Sequence, residues 1–285
     1  MLYRRIFIIV IILIFSFTSI SYGDDIESQE FSSWQSEEMQ TSNCNAEPKI
    51  NSRAGIIYDR TSKKVIWGKA ENEKRPMAST TKIMSAIVVL ENANLNDVVI
   101  VSKKSAGTGG SRLGLKSGDK ITVNDLLYGL LLVSGNDAAV ALAEYVGGSV
   151  EGFSNKMNAK AKELGLESTH FITPHGLDMQ EHYTTALELA EMTDYALEIK
   201  KFADIVNTKS ITISINGQSK MLNNTNELLG NLEGVNGVKT GFTNGANRCL
   251  VTSVNREGMN IITVVLGADT KKDRTKDSVQ LIEYA

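Results

Sequence analysis

The hydrophobic pattern of the chain has a helical period in its middle and a period of two toward its end, which limits the available folds. Apolar residues recur at helical spacing in residues 82–92, 125–146, 153–164 and 185–199. After residue 205, alternation predicts strands at 210–215, 220–222, 248–254 and 260–267, followed by a helix at 275–285. Near the start, runs at 54–58 and 64–68 predict a hairpin. We therefore predict an α/β (α+β) fold in which strands from both chain ends form one sheet covered by a helical middle.

The ends of two predicted helices matter for the functional argument. Pro76 and the apolar spacing that follows it place Ser79 at or near the start of the helix at 82–92. Asp125 is predicted to cap a single helix that runs to Val146 and is ended by the glycine pair at 147–148.

Composition and charge exclude several protein classes. Hydrophobic residues make up 42% of the 285 residues and charged residues 22%, with only 3 prolines, which is typical of a globular chain. The formal net charge of −3 gives no overall basic field, so we expect no nucleic-acid partner. The 2 cysteines are too few for a disulfide-dense scaffold or a structural zinc site.

The N-terminal 23 residues have the pattern of a secretory signal peptide. Arg4 and Arg5 precede an uncharged apolar run at 6–20, and Ser21 and Gly23 lie three residues and one residue before the expected cleavage point. We therefore predict export to a location outside the cytoplasm. The alternative is an uncleaved anchor, which would associate the protein with a membrane.

The sequence is predicted to divide into three segments, which are the signal peptide at 1–23, a linker at 24–48 and a domain at 49–285. Residues 24–48 contain seven acidic residues and no Lys or Arg, and they lack hydrophobic periodicity, so they are predicted to form an acidic flexible linker. Residues 49–285 form the remaining domain. Cys44 lies in the linker and Cys249 in an apolar strand, and two interpretations stay open: a disulfide between them, which export permits, or a buried, unpaired Cys249.

The three histidines, His170, His175 and His182, do not follow the spacing of known zinc-binding motifs. We therefore expect no metal site. Roles in loop packing are the expectation for all three.

The first motif with chemical meaning is S-x-x-K at Ser79-Thr80-Thr81-Lys82. A serine hydroxyl needs an adjacent base to act as a nucleophile, and positions i and i+3 share one face of a helix. The same pattern occurs at Ser117-Gly118-Asp119-Lys120, but its Gly-Asp centre is typical of a turn. We therefore favour Ser79 as the nucleophile.

The second and third motifs follow at intervals of 55 and 105 residues. Ser134-Gly135-Asn136 interrupts an apolar stretch, where polar groups indicate either a site or a local helix break with satisfied side chains. Lys239-Thr240-Gly241 begins a glycine-rich segment, where a backbone or a ligand can approach closely. The alternative for Lys239 is a surface position on a hairpin.

In this order and spacing, S-x-x-K, S-x-N and K-T-G resemble the motif set of the penicillin-recognising serine enzymes. Within that group the sequence is most similar to the low-molecular-mass D-alanyl-D-alanine carboxypeptidases, peptidase family S11, across residues 49–285. Longer supporting stretches lie at 77–84, 134–139, 173–178 and 182–186. The resemblance implies a serine β-lactamase/DD-peptidase-like fold with an antiparallel sheet.

The resemblance also implies catalytic roles. Ser79 would be the acyl-forming nucleophile and Lys82 its base, with burial and the second ammonium of Lys239 favouring the neutral amine. Ser134 would relay a proton to the leaving amine. Asn136 would orient Lys82 and hold the substrate amide.

Substrate-binding roles follow in the same way. Lys239 and Thr240 would hold the terminal carboxylate, together with Arg274, whose guanidinium matches a carboxylate. The backbone N–H groups of Ser79 and Phe242 would form the oxyanion hole, and Gly241 between Thr240 and Phe242 would also bind the substrate. Several relatives carry another polar or aromatic residue where this chain has Phe242, so substrate fit is expected to differ.

The implied function is a serine-type D-Ala-D-Ala carboxypeptidase that acts on peptidoglycan stem peptides, binds β-lactams and uses no cofactor. Three alternatives stay open: a class A-like β-lactamase, a D,D-endopeptidase, and a non-catalytic penicillin-binding wall protein. The centre of the second motif is Gly135 rather than Asp, which fits the carboxypeptidases better than the β-lactamases.

Overall fold

A computed structural model describes residues 47–285. The predicted signal peptide, nearly all of the predicted linker, and Cys44 lie outside these described residues. Within 47–285, no helix combines the length and the apolar composition that crossing a membrane would require.

The first half of the described chain is mostly helical. Its strands are β1 (Ala54–Asp59), β2 (Lys64–Lys69), β3 (Val98–Ile100) and β4 (Lys120–Thr122). A 3-10 turn at Ala78–Thr81 leads directly into the first α-helix. The helices are α1 (Lys82–Asn92), α2 (Lys103–Ala106), α3 (Val123–Leu131), α4 (Asn136–Gly147), α5 (Val150–Glu163), α6 (Ala186–Glu198) and α7 (Lys200–Val206).

The second half is mostly sheet and ends in a helix. The strands are β5 (Ser210–Ile215), β6 (Gln218–Asn223), β7 (Val235–Thr243), β8 (Asn247–Arg256) and β9 (Met259–Ala268), and the final helix is α8 (Lys271–Tyr284). A five-stranded antiparallel sheet has the order β2-β1-β9-β8-β7. The predicted sheet from both chain ends is therefore confirmed, and β7 lies at its edge.

Each face of this sheet covers an apolar cluster. Ile56, Val251 and Val264 project into the larger cluster, which the helical middle of the chain fills. Ile57 and Val265 project from the other face toward Leu281 and Ile282 of α8. Because successive strand residues point to opposite faces, this alternation buries both sides of the strands.

The predicted helix at 125–146 is wrong as a single element. Helix α3 ends at Leu131 with Leu132 as its C-cap, and Ser134 has a φ of +59°, so α3 and α4 are separate. The predicted cap is also wrong, since Thr122 accepts from the backbone N–H of Asp125 and α3 begins earlier. The stop at the glycine pair is confirmed, because Gly148 adopts the left-handed conformation.

Other differences concern short or glycine-rich elements. The final helix begins at Lys271 rather than at residue 275, because Thr270 caps it. The strands β3, β4 and β7 and the helices α2 and α7 were not predicted, since they are short or carry glycines that weaken the periodic signal.

Candidate active site

The first motif lies where the 3-10 turn meets α1. Ser79 is buried in the turn, and Lys82 is the first residue of the helix. Because one helical turn separates them, Lys82 Nζ lies 2.8 Å from Ser79 Oγ. Neither side chain is more than 5% exposed.

Two further oxygen atoms approach the Lys82 amine. Asn136 Oδ1 is 2.7 Å from Lys82 Nζ, and the backbone oxygen of His175 is 3.0 Å away. Both of these atoms can only accept hydrogen bonds. A neutral amine has two hydrogens for them, which leaves its lone pair directed toward the Ser79 hydroxyl. This arrangement can therefore accept a proton from Ser79.

The second motif forms the break between α3 and α4. Gly135 N–H donates to Gly129 O, and Asn136, the first residue of α4, contacts Lys82. The helix-break interpretation of this motif is correct, but the Ser134 hydroxyl is buried and has no hydrogen-bond partner within the described part of the chain. A buried hydroxyl that lacks a partner is costly in a purely structural role.

The orientation of the Asn136 amide is fixed by backbone atoms of the 107–115 loop. Asn136 Nδ2 donates to Gly109 O at 2.8 Å, so Oδ1 must face Lys82. The neighbouring Asp137 accepts from the backbone N–H groups of Leu113, Gly114 and Leu115 and so anchors this loop. The supporting role of Asp137 was not predicted from the sequence, although it follows the S-x-N motif directly.

The third motif lies on the edge strand β7. Lys239 is 1% exposed, so the surface interpretation is wrong, and its Nζ donates to the backbone oxygen of Thr240. Thr240 Oγ1 is 2.8 Å from Thr225 Oγ1. A Cβ placed on Gly241 would lie 3.0 Å from Ser79 N, so the strand packs closely against the 3-10 turn. Glycine at this position permits that approach.

Phe242 follows the motif and stacks on its cross-strand neighbour. Arg248 pairs with it in register, and the guanidinium carbon lies 4.3 Å from the centre of the ring. At this distance the cation is attracted to the aromatic face.

The loop at 173–178 closes another side of the site. Ser85 Oγ donates to Pro174 O, and Asp178 accepts from Thr243 Oγ1 and Gly245 N–H, so the loop is tied to both α1 and the β7–β8 turn. Burial, together with the charge of Lys82, lowers the pKa of His175 to about 3. His175 is therefore neutral at pH 7.

Arg274 lies in the first turn of α8 and is fully buried, so it is not a solvated surface cation. Its Nη2 is 3.2 Å from Glu227 Oε1, and Lys271 Nζ is 3.0 Å from Glu227 Oε2. Burial alone would raise the pKa of Glu227, but the hydrogen bond from Thr275 and the charges of Arg274 and Lys271 outweigh it, so the pKa is lowered. Glu227 lies outside the three motifs, so its contact with Arg274 was not predicted.

The structure therefore brings the first two motifs into direct contact and places Gly241 against the nucleophile's backbone. Arg274, in α8, is held by Glu227. The second S-x-x-K copy is exposed, and Gly118 in its centre has a φ of +90°, as expected for a turn.

Two expectations about cysteine and metals bear on this region. Cys249 pairs in register with Gly241, and burial raises the pKa of its thiol to about 11. Since Cys44 is outside the described residues, both interpretations of Cys249, paired or unpaired, stay open. Among residues 47–285, no group of three or more His, Cys, Asp or Glu side chains is placed to hold a metal ion.

Comparisons with known proteins agree on one group. Residues 41–270 match a family model described as D-alanyl-D-alanine carboxypeptidase. D-alanyl-D-alanine carboxypeptidase DacF of Bacillus subtilis is 38% identical over 239 residues, covering 82% of this chain and 61% of the relative. DacC of Escherichia coli is 39% identical over 251 residues, covering 83% and 62%. The chain thus spans about three fifths of the length of these two relatives.

A solved structure is similar over nearly its whole length. The Streptomyces K15 DD-transpeptidase superposes with a TM-score of 0.80 at 35% identity, covering 84% of this chain and 98% of that one.

Proposed function

The chain belongs to the peptidase S11 family of D-alanyl-D-alanine carboxypeptidases, and we propose that it is a serine-type enzyme that removes the terminal D-alanine from peptidoglycan stem peptides. One observation carries the proposal: Lys82 Nζ lies 2.8 Å from Ser79 Oγ in a buried site where two pure acceptors also face the amine. A positioned base of this kind is what a serine hydroxyl needs in order to attack a carbonyl.

In the first half of the reaction, Ser79 Oγ attacks the carbonyl between the two D-alanines while its proton moves to Lys82. The negative charge that develops on the carbonyl oxygen would be stabilised by the backbone N–H groups of Ser79 and Phe242. The close packing of Gly241 on Ser79 N supports this assignment, since it brings β7 to the turn. Preorganised hydrogen-bond donors of this kind commonly make the largest single contribution to the rate enhancement of acyl transfer.

The proton must then reach the departing D-alanine nitrogen. Ser134 is the proposed relay because its hydroxyl is buried and unpartnered within residues 47–285, and so is available to accept one proton and donate another. Asn136, whose amide is fixed by Gly109 O, would keep Lys82 in place and bind the substrate amide.

Recognition of the substrate carboxylate is assigned to Lys239, Thr240 and Arg274. The ion pair with Glu227 holds the Arg274 guanidinium in one position before the substrate binds. Less side-chain entropy is therefore lost on binding. We expect Arg274→Ala to lower kcat/KM about 10- to 150-fold for a free carboxylate, since a charged bidentate contact contributes about 1.5–3 kcal/mol. A substrate with an amidated terminus should be poor and nearly insensitive to this substitution.

In the second half of the reaction, water hydrolyses the Ser79 ester. β-Lactams would acylate Ser79 because they mimic the D-Ala-D-Ala terminus, and their ester should persist for minutes or longer. Since a solved structural relative is a DD-transpeptidase, an amine acceptor could replace water in this step. Adding glycine to the assay and measuring the aminolysis product distinguishes the two outcomes.

The location of the reaction follows from the N-terminal prediction. Residues 1–23 are proposed to direct export, which would place residues 49–285 outside the cytoplasm with the wall polymer. Cleavage would release the protein, whereas an uncleaved segment would keep it at the membrane.

The deciding experiment measures D-alanine release from a diacyl-Lys-D-Ala-D-Ala tripeptide, with the D-Ala-L-Ala isomer as the matched control. Release from the D,D isomer alone is expected. Activity only on cross-linked dimers would indicate an endopeptidase, and a stable penicillin label without any release would indicate a non-catalytic binding protein. Hydrolysis of a chromogenic β-lactam at tens per second, within the usual range of enzyme turnover, would indicate a β-lactamase.

A further inference from the structure

His182 is a buried histidine that has no part in the proton transfers described above. It is 4% exposed and lies between the loop at 172–173 and the 3-10 turn. Its Nδ1 is 2.9 Å from Ile172 N, and its Nε2 is 2.8 Å from Thr81 Oγ1. The ring therefore joins two segments that are distant in sequence.

The direction of each hydrogen bond follows from the donors available. Ile172 N–H can only donate, so Nδ1 must accept and the ring hydrogen must lie on Nε2. Burial first, and then the nearby His170, lowers the pKa of His182 to about 4, which keeps the ring neutral at pH 7. Thr81 Oγ1 donates its single hydrogen to Ala78 O at 2.8 Å, so it accepts from Nε2.

The last acceptor in this series of hydrogen bonds is Ala78 O, which belongs to the peptide group that precedes the nucleophile. Ala78 O and Ser79 N–H are the two ends of one planar peptide, and in a trans peptide they point in opposite directions. Fixing Ala78 O therefore fixes the direction of Ser79 N–H. That N–H is the proposed oxyanion donor, and the strand residue Gly241 lies against it.

The backbone at Ala78 is strained and needs to be held. Its φ is +48°, in the left-handed region that residues with a Cβ seldom adopt. Ala78 O also lies against Gly176, where a Cβ would come within 1.8 Å of it. Strain of this kind persists only where the surroundings fix it, and it commonly occurs at functional sites.

We propose that His182 is a positioning residue for acylation: through Thr81 it holds the Ala78–Ser79 peptide so that Ser79 N–H faces the developing oxyanion. The inference rests on the proposed function, because it concerns the oxyanion hole of that same site. Hydrogen bonding at Ala78 O also polarises the peptide and strengthens its N–H as a donor.

The chain offers a matched control in His170. Its Nδ1 is 2.6 Å from Glu181 O, and its backbone pairs with that of Tyr183, so it belongs to the same loop region as His182. Within residues 47–285, the hydrogen bonds of His170 go to Glu181 and Tyr183 and not to the 3-10 turn. Replacing it tests whether general loosening of the loop can imitate the effect expected for His182.

The experiment follows acylation by a fluorescent penicillin in rapid mixing and separates the dissociation constant of the first complex from the acylation rate constant. His182→Phe keeps the ring that packs edge-on against Phe171 but removes both hydrogen bonds. Loss of one oxyanion donor costs about 10²- to 10³-fold, so misplacing one should lower the rate constant about 10- to 100-fold. The dissociation constant and the His170→Phe variant should stay near wild-type values.

Thr81 provides a second route that does not alter the histidine. Thr81→Val removes the hydroxyl and should lower the rate constant as His182→Phe does, whereas Thr81→Ser should restore it. The double variant His182→Phe/Thr81→Val should be no slower than the slower single variant, because both break one chain of hydrogen bonds. If His182→Phe fails to fold, the comparison of Thr81→Val with Thr81→Ser decides the question.

The outcomes separate the two proposals. Equal rate constants for Thr81→Val and Thr81→Ser, losses that multiply in the double variant, or a loss confined to the dissociation constant would each overturn the positioning role while leaving the proposed function intact. A wild-type protein that is not acylated at all would overturn both.

Discussion

The pattern S-x-x-K occurs twice in this chain, and the two copies have opposite surroundings. Ser79 and Lys82 are buried where a 3-10 turn meets a helix, and their side chains are in contact. Ser117 and Lys120 are exposed, and Lys120 belongs to the short strand β4 rather than to a helix. The same four-residue spacing therefore produces a reactive pair only where helical geometry aligns the side chains and burial excludes water.

The first copy also differs in its distant partners. Lys82 Nζ donates to Asn136 in α4 and to the backbone oxygen of His175 in the 173–178 loop, and Thr81 is hydrogen-bonded to His182. Around the second copy, Lys116 N–H and Asn216 Nδ2 both donate to Asp119, which stabilises a turn. The four-residue motif therefore acquires its chemistry from the distant residues that pack against it.

The largest contrast is expected for the two serines. Ser79→Ala should abolish both penicillin labelling and D-alanine release, because the Ser79 hydroxyl lies 2.8 Å from the Lys82 amine and is the proposed nucleophile. Ser117→Ala should leave both activities nearly unchanged. Mass spectrometry of the penicillin adduct checks the assignment directly, and a label on any residue other than Ser79 would refute it.

The two lysines should differ almost as strongly. Removing a positioned general base typically costs about 10²- to 10⁴-fold in rate. Lys82→Met, which keeps most of the buried volume, should therefore slow acylation by that factor. Lys120→Met should have no effect on acylation. Comparable losses in the two variants would mean that Lys82 does not act as the base.

Two glycines with positive φ give a third contrast. A Cβ at Gly176 would lie 1.8 Å from Ala78 O, whereas a Cβ at Gly118 would meet nothing within 4 Å. Gly176→Ala should displace the Ala78–Ser79 peptide and slow acylation on the order of 10²-fold, comparable to losing one oxyanion donor. Gly118→Ala adds only backbone strain, so acylation should be unchanged. Circular dichroism confirms that each variant is folded before rates are compared.

The smallest expected effect concerns stability in mild acid. The pKa of His182 is about 4 in the folded chain, below the value of about 6.5 for an unperturbed histidine. The unfolded state therefore binds more protons between these values, and stability is lost as the pH falls from about 6.5 toward 4.

Between pH 7.5 and 5.5, His182 should account for about 1 kcal/mol of that loss. Denaturant unfolding at both pH values measures it: the free energy of unfolding should fall less in His182→Phe than in wild type. A pH dependence that is identical in wild type and His182→Phe would show that this histidine has the same pKa in the folded and unfolded states, and would refute the lowered value. His170→Phe serves as the matched control.

Local patterns in the sequence were sufficient for much of the fold. The hairpin of β1 and β2, the helix at Lys82–Asn92 and the strands β5, β8 and β9 were predicted within a few residues, because each depends on the periodicity of neighbouring side chains. The approach of Lys82 to Ser79 also needs only one turn of helix. These features are local, so the amino-acid order determines them.

The tertiary structure alone decided which distant residues complete the site. Asn136 is 54 positions from Lys82, His175 is 93 away, and Thr81 and His182 are separated by 101. The break at Ser134 interrupts a stretch whose periodicity favours a continuous helix. The contact between Glu227 and Arg274 joins residues 47 positions apart that belong to no common sequence pattern. Such contacts form because the sheet and the helical layer bury their apolar faces against each other, and that packing sets which polar groups meet.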